Sequence, residues 1–509
     1  MHRAVFILGI HILLFSGDAA TAAPACLDQS GRSVDWFVIL KPPWVTSSST
    51  ASFRKGAGYS YADANAPSLT PTNQTLYGAS ALASTLAPAF APPASQPPDL
   101  GWAFYNDGVP HAAYDFKMGH TKGATIFDSS GGLFLLHSVP DYPNAVGTPY
   151  AYPSSGTANG QVFLCVSLNA ANLDTVFSQW FYSYPRIYSS KLPPAVSCTY
   201  PNLAKYLATA PPPRATAAPY IKQAVVMTSL GMPVRSIAKY PTWGKLDLWA
   251  DGVAPMLGVD LCVQTWQNNG NNLGAFCKRD GRAFNVIDVG GMQFSSDTRW
   301  DNVKDHSKWA VSDACTAAAD ALWVCIGDIN RQSGQFSRGG GAMCFQSRPL
   351  YESFYSFISP LASNCSGNVS KCAIPLPSGT IPLSAAPGPL GPLYHSHQCP
   401  ATYNIQHASR YTKVPLSRRR PRLRRRRTMR PHPRRRPRLR RRRTMRRSSS
   451  AARCYSTAFC LAAAMITVVI FARARRRASF RTPRSPSSSR ASKARRGTRA
   501  TLMLRILAG

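Results

Sequence analysis

Residues 119–141 read GHTKGATIFDSSGGLFLLHSVPD. Two apolar runs, ATIF and LFLLHSV, flank small residues at 129–132. β-Branched and aromatic residues on either side of a Ser/Gly turn predict a β-hairpin. At its open end stand His120 and Lys122. Positions i and i+2 of a strand share a face, so an imidazole and an ammonium are presented side by side. Pairing Phe127 with Phe134 sets His120 opposite Asp141 and Ser138 beside Lys122.

The construction recurs 186 residues on, at His306. DHSKWAVS (305–312) carries His306 and Lys308 at the same spacing, and LWVCIGDIN (322–330) returns after a loop. Pairing Ser312 with Ala321 sets His306 opposite Gly327, next to Asp328. Two such units suit a phosphodiester. One neutral imidazole attacks phosphorus, a second protonated one donates to the leaving oxygen, and two lysines hold the non-bridging oxygens. The two histidines then need opposite protonation states, and an ordinary imidazole pKa of about 6.5 implies a mildly acidic optimum. No metal or other cofactor is required. Asp128 reads as a turn residue and His137 as a structural histidine. Asp313 has the wrong parity for the face of His306, and Arg338-Gly-Gly-Gly reads as a flexible loop ahead of the alternative, a segment that approaches a phosphate.

Further runs extend the pattern. QVFLCVSL, AVVMTSL, LCVQTW and FNVIDV read as strands, and NLDTVFSQWFYSY and PLYESFYSFISPLA as helices. The fold class is mixed α/β. Residues 64–99, rich in Pro, Ala, Ser and Thr, read as an irregular loop. The net charge of +37 misleads, because it is unevenly placed. Of 59 Lys and Arg, 33 lie in residues 411–509, where no Asp or Glu occurs; the other 26 meet 22 acidic residues, leaving residues 1–410 at +4.

Residues 1–22 read as a secretory signal, with an apolar run and an Ala-Thr-Ala cleavage site. Thirteen cysteines without a Cys-x-x-Cys pair favour disulfides over zinc. Asn73, Asn364 and Asn368 open glycan sequons. Residues 373–417 form a Pro-rich linker, and 418–509 an Arg-rich tail in which RRRPRLRRRRTMR occurs twice (418–430 and 434–446). Like charges at this density repel and stay disordered. A disordered or misframed segment fits best. The alternatives are a nucleic-acid-binding arm and a membrane anchor through the apolar stretch 454–472, at the lower edge of a span. Nothing in the sequence sets an oligomeric state.

In order along the chain, VDWFVILK (34–41), YND (105–107), GHTKG (119–123), LLHSVPD (135–141), GQVFLCVS (160–167), YSYP (182–185), DHSKW (305–309), GDINR (327–331) and RGGG (338–341) resemble the deoxyribonuclease II family of the phospholipase D superfamily. The resemblance covers roughly residues 26–365. It implies two pseudo-symmetric phospholipase-D-like halves, central β-sheets flanked by helices, sharing one site. On this basis the catalytic region is 23–372, with halves of about 23–200 and 201–372. It also implies a lysosomal or secreted endonuclease that cuts double-stranded DNA at acid pH to 3′-phosphate ends without metal. His120, Lys122, His306 and Lys308 take the catalytic roles, with His120 the nucleophile by superfamily analogy. Ser138, Asp328 and Asn330 support phosphate binding. The family bridges map to Cys26–Cys165, Cys277–Cys365 and Cys325–Cys344. Asp141 stands where the family has Asn, adding negative charge near His120, and Ala310 where it has Cys; Cys198, Cys262 and Cys315 lack family partners. The competing functions are a DNA-binding homologue that cuts nothing and a metal-dependent nuclease. Against the second, the chain holds a single Glu.

Overall fold

The computed structural model describes residues 23–144, 146–268, 270–359 and Cys365. The signal segment, the linker, the Arg-rich tail with its apolar stretch, Asn364 and Asn368 lie outside these residues.

Two β-sheets organise the chain. The first has eight antiparallel strands in the order Ile187–Lys191, Gly101–Asn106, Lys122–Phe127, Gly131–His137, Gln161–Asn169, Trp36–Lys41, Gly58–Asp63, Thr70–Thr75. The second has seven, in the order Ile221–Met227, Pro233–Lys239, Gly340–Gln346, Trp323–Gly327, Trp309–Ser312, Leu261–Gln264, Val286–Asp288; only the last pair is parallel. Four neighbouring strands repeat between the sheets. A leading strand (Gly101–Asn106, Leu261–Gln264) pairs with the strand carrying or following His-x-Lys. That strand pairs with its return, and the return pairs with a strand that runs into a helix, Ala170–Ser183 or Arg348–Phe357. This is the mixed α/β fold, with the repeat that the two His-x-Lys units imply.

Both hairpins form, each with a register two residues from the predicted one. Phe127 lies opposite Gly132, so the strand register carries Lys122 towards His137 and His120 towards Val139 rather than Asp141. The turn is tighter than residues 129–132, because the Asp128 carboxylate accepts from the main-chain N–H groups of Ser130 and Gly131. Asp128 is thus the turn residue expected of it, in the local role that short carboxylates favour. In the second hairpin Val311 pairs with Val324, and Ser312 falls near Trp323 instead of Ala321. The Ser312 hydroxyl accepts from the Trp323 N–H and donates to the Ala321 carbonyl, taking the place of a ladder bond. A two-residue shift keeps the face of every side chain.

Residues 64–99 are more ordered than their composition suggests. They contain the edge strand Thr70–Thr75 and a helix, Ala81–Phe90. Ser80 caps that helix by accepting from Ala83 N–H, and its run of Ala and Leu outweighs Pro88 in the last turns. Asn73 is exposed on the edge strand.

Alternation along Trp36–Lys41 divides the core. Trp36, Val38 and Leu40 face inward to a cluster shared by both sheets, the helices Ala170–Ser183 and Arg348–Phe357, and Val324, Met343 and Phe345. Phe37 and Ile39 face a second cluster under the helix Ala81–Phe90. A third, around Leu248, Trp249 and Leu261, covers the outer face of the seven-stranded sheet. The bridges Cys26–Cys165, Cys277–Cys365 and Cys325–Cys344 are all present. Cys315 is also disulfide-bonded, Cys198 is an exposed free thiol, and Cys262 is buried in the core. Among the described residues, no helix is long and apolar enough to cross a membrane.

Candidate active site

The end of the helix Ala170–Ser183 fixes where the two His-x-Lys units meet. Tyr184 ends the helix in the left-handed conformation, and its carbonyl accepts from Gly119 N–H at 2.7 Å. A Cβ on Gly119 would stand 1.9 Å from the Ser183 carbonyl oxygen, and one on Gly339 2.5 Å from it. Both positions therefore require glycine, and both flanking segments are drawn against one helix end.

Each histidine is then held by the opposite half, at equivalent positions. The His120 main-chain N–H donates to Gly339 O (2.8 Å), and that of His306 to Gly160 O (2.9 Å). Gly339 and Gly160 each sit one residue before the strand that runs into a helix. His120 Nδ1 bonds the Asp328 carbonyl at 2.7 Å and His306 Nδ1 bonds the Ser138 carbonyl at 2.8 Å. Asp328 and Ser138 each follow the last residue of a return strand. A carbonyl only accepts, so Nδ1 carries the hydrogen in both rings and Nε2 of the neutral form holds the free lone pair. The return strands do serve the histidines, as the sequence implied, but each serves the histidine of the other half.

The cations are unequally partnered. Lys122 Nζ is in tight contact with Asp107 Oδ1. Arg338 donates to Asp107 Oδ2 (3.0 Å), Met118 O (2.9 Å) and Gly119 O (3.1 Å). Asp107 Oδ2 lies 3.9 Å from His120 Nε2. Lys308 Nζ donates to His306 O at 2.5 Å and lies 3.3 Å from His306 Nδ1. In the second half, the ring of Trp266 packs edge-on against His306, with centroids 4.6 Å apart.

Burial shapes the charge states. It pushes both His120 and His306 well below the ordinary imidazole value. Lys122 and Lys308 add to this at each ring, while Asp107 opposes it at His120. Lys308 itself is held well below its usual value, by burial and by Lys122. Burial alone would raise Asp107, but Lys122, His120 and Arg338 hold its carboxyl well below the carboxylate range. The Asp328 carboxyl is pushed up to about 8 by burial, with Lys122 and the Gly341 N–H opposing.

The residues singled out in the sequence are placed as follows. His120, Lys122, His306 and Lys308 converge. Ser138 contributes its carbonyl, its hydroxyl being bonded to Gln161 and Val162. Asp328 contributes its carbonyl and accepts from Gly341 N–H through its carboxyl. Asn330 bonds neither imidazole; it accepts from the main-chain N–H of Trp266 at 3.3 Å, the residue whose ring packs on His306. Asp141 lies beyond His120 in a left-handed turn (φ 57°), its N–H bonded to Gly108 O. The charge beside His120 is therefore Asp107. His137 accepts from Val139 N–H and packs on Tyr142 and Phe163, a structural residue. Arg338-Gly-Gly-Gly is no flexible loop: Arg338 is buried and residues 340–341 open a strand. Asp107 and Trp266 are the site residues that pattern reading passed over, and Arg338 is one it ranked first as part of a loop. The signal for the first was present, an Asn-Asp pair closing the apolar run GWAFY. Among the described residues, no three His, Cys, Asp or Glu side chains cluster as a metal site.

Residues 25–364 match the family Deoxyribonuclease II. The chain is 32% identical over 341 residues to Plancitoxin-1 of Acanthaster planci, covering 66% of this chain and 91% of that protein. It is 33% identical to Deoxyribonuclease-2 of Caenorhabditis elegans (70% and 97% covered) and 31% identical to Deoxyribonuclease-2-alpha of Rattus norvegicus (66% and 93% covered). The chain belongs to the deoxyribonuclease II family.

Proposed function

We propose that this protein is an acid endodeoxyribonuclease that cuts DNA phosphodiesters through a covalent phosphohistidine, without metal. The crosswise anchoring of the two histidines carries the reading: each Nδ1 is tied to a carbonyl, leaving each Nε2 its lone pair. His120 attacks phosphorus and the P–O5′ bond breaks. His306, protonated at Nε2, gives its proton to the departing O5′. Water then attacks the phosphohistidine, losing a proton to His306, and releases a 3′-phosphate. Lys122, Lys308 and Arg338 offset the charge on the non-bridging oxygens, the task a metal ion performs elsewhere. Ser138, Asp328 and Asn330 hold the frame: two through carbonyls, one through Trp266. The catalytic region is 23–372, its two halves meeting at this site, and the disulfides fit export to the lysosome or the exterior.

The test is plasmid cleavage at about pH 5 in excess chelator, where an imidazole protonates readily, beside His120→Ala and His306→Ala. Cleavage by the unmutated protein and a loss of about a thousandfold or more in both variants is expected. Intact plasmid with unmutated protein, or full activity in either variant, would overturn the reading. DNA bound but never cut would favour the inert homologue, and activity abolished by chelator the metal-dependent enzyme.

A further inference from the structure

We propose that Tyr114 and Phe116 form a nucleobase-stacking subsite beside the catalytic centre, an inference that rests on the nuclease reading. Phe116 is 70% exposed and Tyr114 48% exposed. Their rings are close to parallel, 14° apart with centroids separated by 6.1 Å. Aromatic surface on this scale is usually withdrawn from water, and its display beside a site marks a place for a ligand.

The position of the pair names the ligand. The Arg338 guanidinium lies 5.4 Å from the Phe116 ring centroid. The same guanidinium is bonded to Asp107, whose carboxylate also meets Lys122 and His120. The aromatic pair is thus joined through one side chain to the cations proposed to hold the scissile phosphate. A flat π-surface adjoining a phosphate site fits the base of a nucleotide next to that phosphate. Bases inside a duplex are already stacked, so the subsite takes one turned out of the stack.

The pair is also held in place. Arg186 donates to Ala113 O at 2.7 Å, Asp115 N–H to Asp107 O, and Met118 N–H to Asp115 O. Gly108 lies against Tyr114 so closely that a Cβ there would stand 2.6 Å from the ring. The loop therefore presents the rings without first having to order them, which limits the entropic cost of binding. Lys117, exposed and next to Phe116 in the chain, adds a cation for the neighbouring phosphate.

The experiment compares a single-stranded oligonucleotide with an abasic one of the same backbone. KM is measured for cleavage, and binding by fluorescence anisotropy on the His120→Ala protein. For the otherwise unmutated protein, the base-bearing strand is expected to bind about tenfold better than the abasic one. Phe116→Ala and the double variant Tyr114→Ala/Phe116→Ala should bring that ratio towards one, and Phe116→Trp should keep it. A ratio of one in the starting protein, or a ratio untouched by the double variant, overturns the subsite. A protein that leaves plasmid DNA uncut at acid pH overturns the nuclease reading instead, and the anisotropy ratio still decides the subsite.

Discussion

Burial sets the protonation of the site before any substrate arrives. Both imidazoles are pushed below their ordinary value, so in the free protein both are neutral near neutral pH. The proposed chemistry needs one of them protonated. It follows that kcat/KM should climb as pH falls below about 6.5 and decline again once the attacking ring is protonated. Lys308→Gln removes a charge that depresses His306, so it should move the neutral-side limb to higher pH while lowering kcat. A pH–rate series on short DNA reads both effects, and an unmoved limb would contradict the assignment. Asp328 gives a separate, stability-based prediction. Its folded carboxyl titrates at about 8 against 3.8 unfolded, so the folded state holds a proton that the unfolded chain has lost between those values. That contribution is complete below the unfolded pKa and is lost as pH rises through the folded one. Asp328→Asn mimics the protonated group, so urea midpoints should fall less from acid to neutral pH than in the unmutated protein; equal falls would refute it. At this scale the sequence displayed the histidines and lysines, because their spacing is local. Asp107 was marked by its Asn-Asp pair and Arg338 by its glycines, but their joint role was not legible, since it arises from an ion pair between residues 231 apart.

Most central strands and the helices Ala170–Ser183 and Arg348–Phe357 follow from apolar runs and period, so their existence was readable, whereas the edge strand Thr70–Thr75, the helix Ala81–Phe90 and the strand register were not. Register depended on two side chains, the Asp128 carboxylate and the Ser312 hydroxyl, each tying down its own turn. A symmetry between elements was equally hidden. Lys41 ends the strand Trp36–Lys41 and donates to Gly56 O and Thr157 O. Lys239 ends Pro233–Lys239 and donates to the carbonyls of Gln335, Phe336 and Arg338. Each lysine thus clamps the loop leading to the glycine, Gly160 or Gly339, that holds the opposite histidine. Burial lowers Lys41 to about 7, with Asp305 opposing, and Lys239 to about 8, with Asp247 opposing and Arg338 adding. Both clamps are therefore charged at acid pH. Lys41→Met and Lys239→Met should each displace a histidine and reduce kcat by roughly a hundredfold, with KM changed far less. Steady-state kinetics on a short oligonucleotide check this, and an unaltered kcat would show the loops hold without their lysines.

The two halves share one interior, and this governs how the molecule unfolds. Trp36 of the eight-stranded sheet packs on Phe345 of the seven-stranded sheet with centroids 5.2 Å apart, inside a cluster drawn from both. Separating the halves would expose that cluster and break all four bonds that anchor the histidines crosswise. The halves are consequently expected to unfold together. The ten tryptophans lie in both halves, so urea unfolding followed by fluorescence reports on each, and activity reports on the join. The two curves should coincide as a single transition, the behaviour of a cooperative unit. Trp36→Ala should lower stability by about 3–5 kcal/mol, the usual loss for deleting a large buried aromatic, and shift both curves equally. Activity lost well before fluorescence would instead mean that the halves part while each stays folded. The crosswise anchoring would then be a docking contact and not part of one core.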